Sequence, residues 1–207
     1  MRTIGIDVSH WEGLIDWNKA APGLGFAYFK CTDGITGVDD KFMDNCIGTK
    51  NENIAAAPFH WYHPEMPGID QANHFVNVAA HNGIKKFGKY IIDVEEPLPS
   101  TMTYSLNWLN LKALCSRIEF LTHTIPAIYT GYYKWLESMG NQPAAIRYDL
   151  LLARYTYAKN PVCPYPWSKP KIWQFTDYGF WGGCSTEVDM DWFYGTPQEC
   201  FNYFYGG

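Results

Sequence analysis

No stretch of this chain approaches the roughly 18 consecutive apolar residues that a membrane-spanning helix needs, so no membrane span is expected. Basic clusters are missing too. The longest Lys/Arg run is the pair Lys85-Lys86, and 16 basic against 21 acidic residues leave a formal charge of −5. A nucleic-acid partner is disfavoured on that ground, because neutralising phosphates takes a basic patch. The six cysteines (31, 46, 115, 163, 184, 200) contain no C-x-x-C spacing, which argues against zinc or thioredoxin-like chemistry. They read as free, buried thiols, although Cys163, Cys184 and Cys200 fall in a loop-rich region that would accommodate a disulfide. Charged residues are scarce at 18%, which excludes a disordered or coiled-coil chain. Before the apolar run Thr3-Ile4-Gly5-Ile6-Asp7-Val8 there is no charged segment, apolar core or small-residue cleavage site, so no signal peptide is visible.

What is present is a large apolar and aromatic content. With 207 residues, 47% of them hydrophobic, the chain can bury the core of one domain without help from metals or disulfides. The 9 Trp, 15 Tyr and 12 Phe serve packing first. Their flat rings also suit the apolar faces of sugars, while their polar tips reach hydroxyl groups.

Short β-like runs alternate with helical stretches, without linker or repeat. Strands are expected over 3–8, 25–31, 54–61, 88–95, 125–130, 149–155, 171–176 and 186–190, and helices over 40–51, 69–82 and 103–122. Tyr90-Ile91-Ile92 and Leu150-Leu151-Leu152-Ala153 are apolar on every residue, as in strands covered on both faces of a parallel sheet. Eight such units in one domain, residues 1–207, indicate an α/β fold: a (β/α)8-like barrel. After residue 155 helical patterns give way to Pro161, Pro164, Pro166, Pro170, Gly182 and Gly183, so the barrel is expected to be irregular and helix-poor in its C-terminal half.

A barrel of this kind places its chemistry at the carboxyl ends of the strands. Those ends carry Asp7 and Ser9, His60 and Tyr62, Asp93 and Glu95, Tyr129, Arg154 and Tyr155, Gln174, and Asp189. Asp93-Val94-Glu95 is the sharpest feature. Residues two apart on a strand share a face, with Cα atoms roughly 6.5–7 Å apart. Two carboxyls emerging together from an apolar strand repel each other and are desolvated, so at least one pKa rises. A carboxylic acid still protonated near neutrality is what glycosidic-bond cleavage requires. The alternative is a pair of solvated acids in a strand-end turn, since Glu96-Pro97 follows. Asp7 and Asp189, on strands adjacent in a closed barrel, favour the catalytic reading. His60-x-x-His63 with Glu65 lacks a helical context because Pro64 breaks it. No metal and no cofactor are expected.

At these residues the chain resembles the glycoside hydrolase family 25 muramidases, the Chalaropsis-type lysozymes of fungi, bacteria and phage endolysins. Gly5-Ile6-Asp7-Val8-Ser9 with Trp11 and Ile15-Asp16-Trp17 resembles their opening strand and helix. The likeness continues through Phe26-Ala27-Tyr28-Phe29-Lys30 with Thr32-Asp33-Gly34, Phe59-His60-Trp61 with Pro64, and Gln71-Ala72 with Phe75. It then runs through Asp93-Val94-Glu95, Ile128-Tyr129-Thr130-Gly131, Leu152-Ala153-Arg154-Tyr155, Trp173-Gln174-Phe175-Thr176 and Val188-Asp189. Glu12, where Gln is common, and Cys31, where a small residue is common, depart from the pattern.

The resemblance implies hydrolysis of the β-1,4 bond between N-acetylmuramic acid and N-acetylglucosamine in bacterial peptidoglycan, by a monomer. It makes Glu95 the general acid/base and Asp93 its assistant, with Asp7 and Asp189 completing an acidic floor. Lys30, Tyr62, Tyr129 and Trp173 would contact sugar. A D-x-E on one strand face suits a route in which the substrate's own acetamido carbonyl attacks. The resemblance also implies action on the cell wall, reached through a phage-type lysis system or by secretion with the signal removed. Two rivals stand beside it. A family 18 chitinase-like hydrolase would carry a longer D-x-x-D-x-D-x-E run, but Gly88 and Ile91 occupy its two earlier acid positions. A glycan-binding or phage structural protein on the same barrel would be expected to have lost Glu95.

Overall fold

The computed structural model describes residues 1–81 and 87–205. Lys85-Lys86 and the last residue of the helix expected over 69–82 lie outside the described residues. The strands, in chain order, are β1 (Thr3–Val8), β2 (Phe26–Asp33), β3 (Gly37–Val38), β4 (Ala55–Trp61) and β5 (Ile91–Asp93). They continue with β6 (Ala127–Gly131), β7 (Leu150–Ala153), β8 (Ile172–Gly179) and β9 (Val188–Phe193). Eight of them form a closed barrel in the order β1-β9-β8-β7-β6-β5-β4-β2, sealed by the parallel β1–β2 pairing, while β3 only folds back on β2.

The barrel is mixed. β9 runs antiparallel to both β1 and β8, whereas the other seven are parallel where they meet. This corrects the all-parallel expectation, and the reason is local. Only the segment around Gly182 and Gly183 joins β8 to β9, too short for the crossover helix a parallel strand needs.

Six α-helices appear among the described residues: α1 (Trp17–Ala20), α2 (Phe42–Asn51), α3 (Gly68–Ala80), α4 (Tyr104–Thr122), α5 (Tyr132–Ser138) and α6 (Pro197–Tyr205). No helix lies between β8 and β9, and no α-helix between β7 and β8, among the described residues, so the barrel is helix-poor there, as expected. None of the described helices is long and apolar enough to cross a membrane. All six cysteines are unpaired; Cys31, Cys46, Cys115 and Cys200 are buried.

Strand alternation sorts the core into two layers. Phe26, Tyr28, Ala55, Ala57, Phe59, Ile91, Ala127, Tyr129, Leu151, Ile172 and Phe193 pack inside the barrel. Ile6, Val8, Ala27, Phe29, Ile92, Val94, Ile128, Leu150 and Leu152 belong to the layer shared with helices. Gly5 is required by this arrangement. A Cβ there would lie 2.3 Å from the Phe26 ring that fills the barrel interior.

α6 was not anticipated, and it plugs the barrel at the end where β2 begins. Phe204 stacks on Phe26 with centroids 5.3 Å apart, and Cys200 is buried beside them. Its start is a capping arrangement: Thr196 N and Oγ1 donate to Glu199 Oε2 at 2.7 and 2.9 Å, and Glu199 N donates to Thr196 Oγ1 at 3.2 Å.

Candidate active site

Apolar rings and aliphatic chains fill the lower barrel, and the polar side chains on the same inward faces gather toward the upper rim. There a cavity of about 160 Å³ opens. Asp7, Lys30, Asp93, Glu95, Tyr129 and Asp189 line it together with Tyr28, Trp11, Glu12 and Trp61. Asp189 reaches this rim in a way the residue pattern did not foretell. It lies near the beginning of β9, and because β9 is reversed, that end lies beside the carboxyl end of β1, with Asp189 opposite Asp7.

The carboxyls are held by one amide. Gln174 Nε2 donates to Asp7 Oδ2 at 2.9 Å and to Asp189 Oδ2 at 3.0 Å. Its Oε1 accepts from Tyr129 Oη at 3.0 Å and from Tyr155 Oη at 2.8 Å. Deeper in the barrel Tyr28 donates to Asp191 Oδ1 at 2.8 Å, and Asp7 and Asp191 are close enough to share a proton. Burial holds the Asp7 carboxyl well above the usual range, and Asp191 adds to the shift. Burial, followed by repulsion from Asp7, pushes Asp189 up to about 9; burial brings Asp191 up to about 8. Asp189 and Asp191 therefore hold protons at neutral pH, and the upward shift of Asp7 acts in the same direction, which is how several acids fit into one barrel mouth.

Asp93 and Glu95 differ from that network. Asp93 is buried, and its Oδ1 has no hydrogen-bond partner. Burial, then Glu95 and Asp7, raises its pKa well above the ordinary value. Glu95 is raised chiefly by burial, with Lys134 pulling it down and Glu96 pushing it up. Within the floor Asp191 Oδ2 is met only by the Asp7 carboxyl, whereas Asp93 Oδ1 beside it has no partner of either kind and Glu95 stands at the rim.

Two expected sugar contacts are elsewhere. Tyr62 points into the helical layer, where its hydroxyl donates to Asn107 Oδ1 at 2.8 Å and accepts from Asn110 Nδ2 at 3.1 Å. Trp173 is buried on the outer face of β8 and donates to the Arg154 carbonyl at 2.7 Å. Both corrections come from strand parity: adjacent residues face opposite ways, so Trp61 and Gln174 face the rim instead. Lys30 is at the rim, paired with Asp33 at 2.7 Å and poised 5.1 Å from the Trp61 ring centroid.

His60 is not free to bind anything. Its Nδ1 meets Thr32 Oγ1 at 2.8 Å and its Nε2 meets Gln71 Oε1 at 3.1 Å. Burial lowers its pKa to about 3. His63 pairs with Asp33 at 2.6 Å, and no group of metal-ligating side chains gathers among the described residues.

Glu12 has a structural task. It closes a capping box, accepting from Ser9 N at 2.6 Å, and so fixes the short turn His10–Glu12 that presents Trp11, 78% exposed, beside the cavity.

A closed α/β barrel with carboxyls gathered at its mouth suits the cleavage of a glycosidic bond. The chain belongs to the glycosyl hydrolases family 25, whose model matches residues 6–184. It is 28% identical to "Lysozyme M1" of Streptomyces globisporus, over 94% of this chain and 69% of that one. It is 27% identical to the "N,O-diacetylmuramidase" of Chalaropsis sp, over 89% and 93% respectively. Among solved structures, the bacterial lysozyme from Streptomyces coelicolor superposes with a TM-score of 0.89 at 25% identity, covering 98% of this chain and 97% of that one.

Proposed function

We propose that the chain is a muramidase cutting the β-1,4 bond between N-acetylmuramic acid and N-acetylglucosamine in peptidoglycan. The observation that carries this reading is the contrast between Asp93 and Glu95: a buried carboxyl with an unmatched oxygen, beside a rim carboxyl whose pKa burial raises. Glu95 protonates the glycosidic oxygen as the bond breaks. Asp93, which lines the cavity, accepts the N–H of the acetamido group, and this turns the acetamido carbonyl oxygen toward the anomeric carbon. That oxygen attacks, and Glu95, now a carboxylate, takes a proton from the water that opens the ring intermediate. The anomeric configuration is retained. Asp7 and Asp189, fixed by Gln174, form the polar floor under the sugar, and Lys30, Tyr129 and Trp61 border it. The relatives' names, a lysozyme and a diacetylmuramidase, support the choice of sugar.

The test is mass spectrometry of digested peptidoglycan after borohydride reduction. Reduced muramic acid ends are expected. Reduced glucosamine ends would make the enzyme a glucosaminidase. A protein that binds the wall but releases nothing would be a binding module.

Trp11 presents its ring to the mouth without supporting the core. Trp11→Ala is therefore expected to raise KM about three- to tenfold, the equivalent of roughly 0.5–1.5 kcal/mol of stacking. Its kcat and Tm should stay near wild type, because uniform binding is what is lost. An unchanged KM on soluble wall fragments would remove Trp11 from the substrate path.

A further inference from the structure

Past Glu95, a second and more open groove of about 570 Å³ leads away from the rim between α5 and the segment after β7. It shares Glu95 with the acidic cavity, but Asp7, Asp93 and Asp189 do not line it. Its character is opposite. Lys134 and Arg154 line it, with Glu137 as the one carboxylate besides Glu95 among the described residues.

The Arg154 guanidinium lies 4.5 Å from the Tyr132 ring centroid and 4.9 Å from that of Tyr133. Among the described residues neither Arg154 nor Lys134 has an ion-pair partner, so both charges are open to a ligand in the groove. Gly131 brings the lysine close to the proton donor. A Cβ there would lie 3.2 Å from Lys134 Cγ and 3.6 Å from Glu95 Oε1, so both side chains face the same bare backbone.

What sets these two cations apart is that both line one groove beside Glu95. The ring contacts hold Arg154 in place but leave its N–H edges unused. A guanidinium held in this way is pre-organised for a carboxylate fork.

The position of Glu95 says which part of the substrate meets these cations. A proton donor stands between the sugar that is attacked, here beside Asp93, and the leaving strand. The groove on its far side therefore takes the leaving strand, whose anionic groups are the carboxylates of the peptide carried on its muramic acid. Resting on the muramidase reading, we propose that Arg154 and Lys134 bind the peptide carboxylates of the leaving strand and make the enzyme selective for peptide-bearing glycan.

The test compares kcat/KM on peptidoglycan freed of other wall polymers with kcat/KM on the same glycan after an amidase has removed the peptides. Amide hydrolysis frees the lactyl carboxylate on the sugar, so the second substrate carries that charge in place of the peptide's carboxylates and the comparison separates the two sources. Wild type is expected to favour the peptide-bearing substrate roughly tenfold, the size of one charge-assisted hydrogen bond. In Arg154→Gln that preference should fall toward one, with Arg154→Lys intermediate. Lys134→Gln, a change at an exposed position, should also reduce the preference, each variant being assayed at its own pH optimum because Lys134 acts on Glu95. An equal loss on both substrates, or a wild type without preference, would overturn the inference while leaving the muramidase reading intact. Failure of wild type to cut either substrate would overturn both.

Discussion

Glu95→Gln is expected to lower kcat on peptidoglycan by about 10²- to 10⁴-fold, the range a positioned general acid contributes, with wall binding and folding retained. The amide matches the carboxyl in size but can neither give the proton to the leaving oxygen nor afterwards take one from water. Since burial dominates the raised pKa of Glu95, activity in the wild type should fall as pH rises through that pKa, and this alkaline limb should be absent from the residual activity of the variant. A substrate with an activated leaving group needs little protonation, so it should recover the bond-breaking step in Glu95→Gln, read as the first release of that leaving group. It should not recover Asp93→Asn, expected to lose about 10²-fold because the acetamido group is no longer aligned. Undiminished wall lysis by Glu95→Gln would end its assignment as proton donor. Recovery of both variants by the activated substrate would end the division of roles.

The acids of this site were legible in the sequence because a carboxyl at the end of an apolar strand is costly to bury. Several strands that each carry that cost at the same end of a barrel mark a site. Asp7, Asp93, Glu95 and Asp189 all reach one cavity. What escaped was parity. Tyr62 and Trp173 were chosen over Trp61 and Gln174, one residue away in each case, and a shift of one residue exchanges the barrel interior for the helical layer. Asp191 could have been found by the same rule, two residues beyond Asp189 on the same face, and Tyr28 two residues before Lys30.

In the fold, β1, β2, β4, α2, α3 and α4 fall within a few residues of expectation because their periodicity is strong. α6 was missed although Thr196-Pro197-Gln198-Glu199 spells a capping box with proline in the first turn. The proline- and glycine-rich segment before it carries no helical periodicity. The direction of β9 had no signature in its own residues; it follows from the short connection before it.

The same crowding of protonated carboxyls that makes the site should make the protein less stable as pH rises. Asp189 and Asp191 are raised to about 9 and about 8, and Asp7 and Asp93 lie well above the carboxylate range, whereas unfolded carboxyls titrate at roughly 3.9. Between these limits the folded chain binds more protons than the unfolded chain, so unfolding free energy declines with rising pH. The stabilisation is complete below about pH 4 and is lost as pH passes through 8 to 9. A single carboxyl raised from roughly 3.9 to about 8 corresponds to on the order of 5 kcal/mol. At roughly 2–4 °C per kcal/mol for a chain of this size, that is about 10–20 °C in Tm. His60 acts in the opposite sense. Its folded pKa is lowered to about 3, so its contribution is lost as pH falls below roughly 6.5, which places the stability maximum on the acid side of neutrality. Thermal unfolding at pH 5.5 and pH 8.5 measures the slope directly, and Asp191→Asn isolates its source. The amide keeps an oxygen for Tyr28 and can donate to Asp7, but it has no proton to lose. The slope in that variant should be visibly flatter than in wild type. A wild-type Tm that holds steady or rises toward pH 8.5 would mean that these carboxyls are ionised in the folded barrel, and the protonated floor beneath the sugar would have to be abandoned.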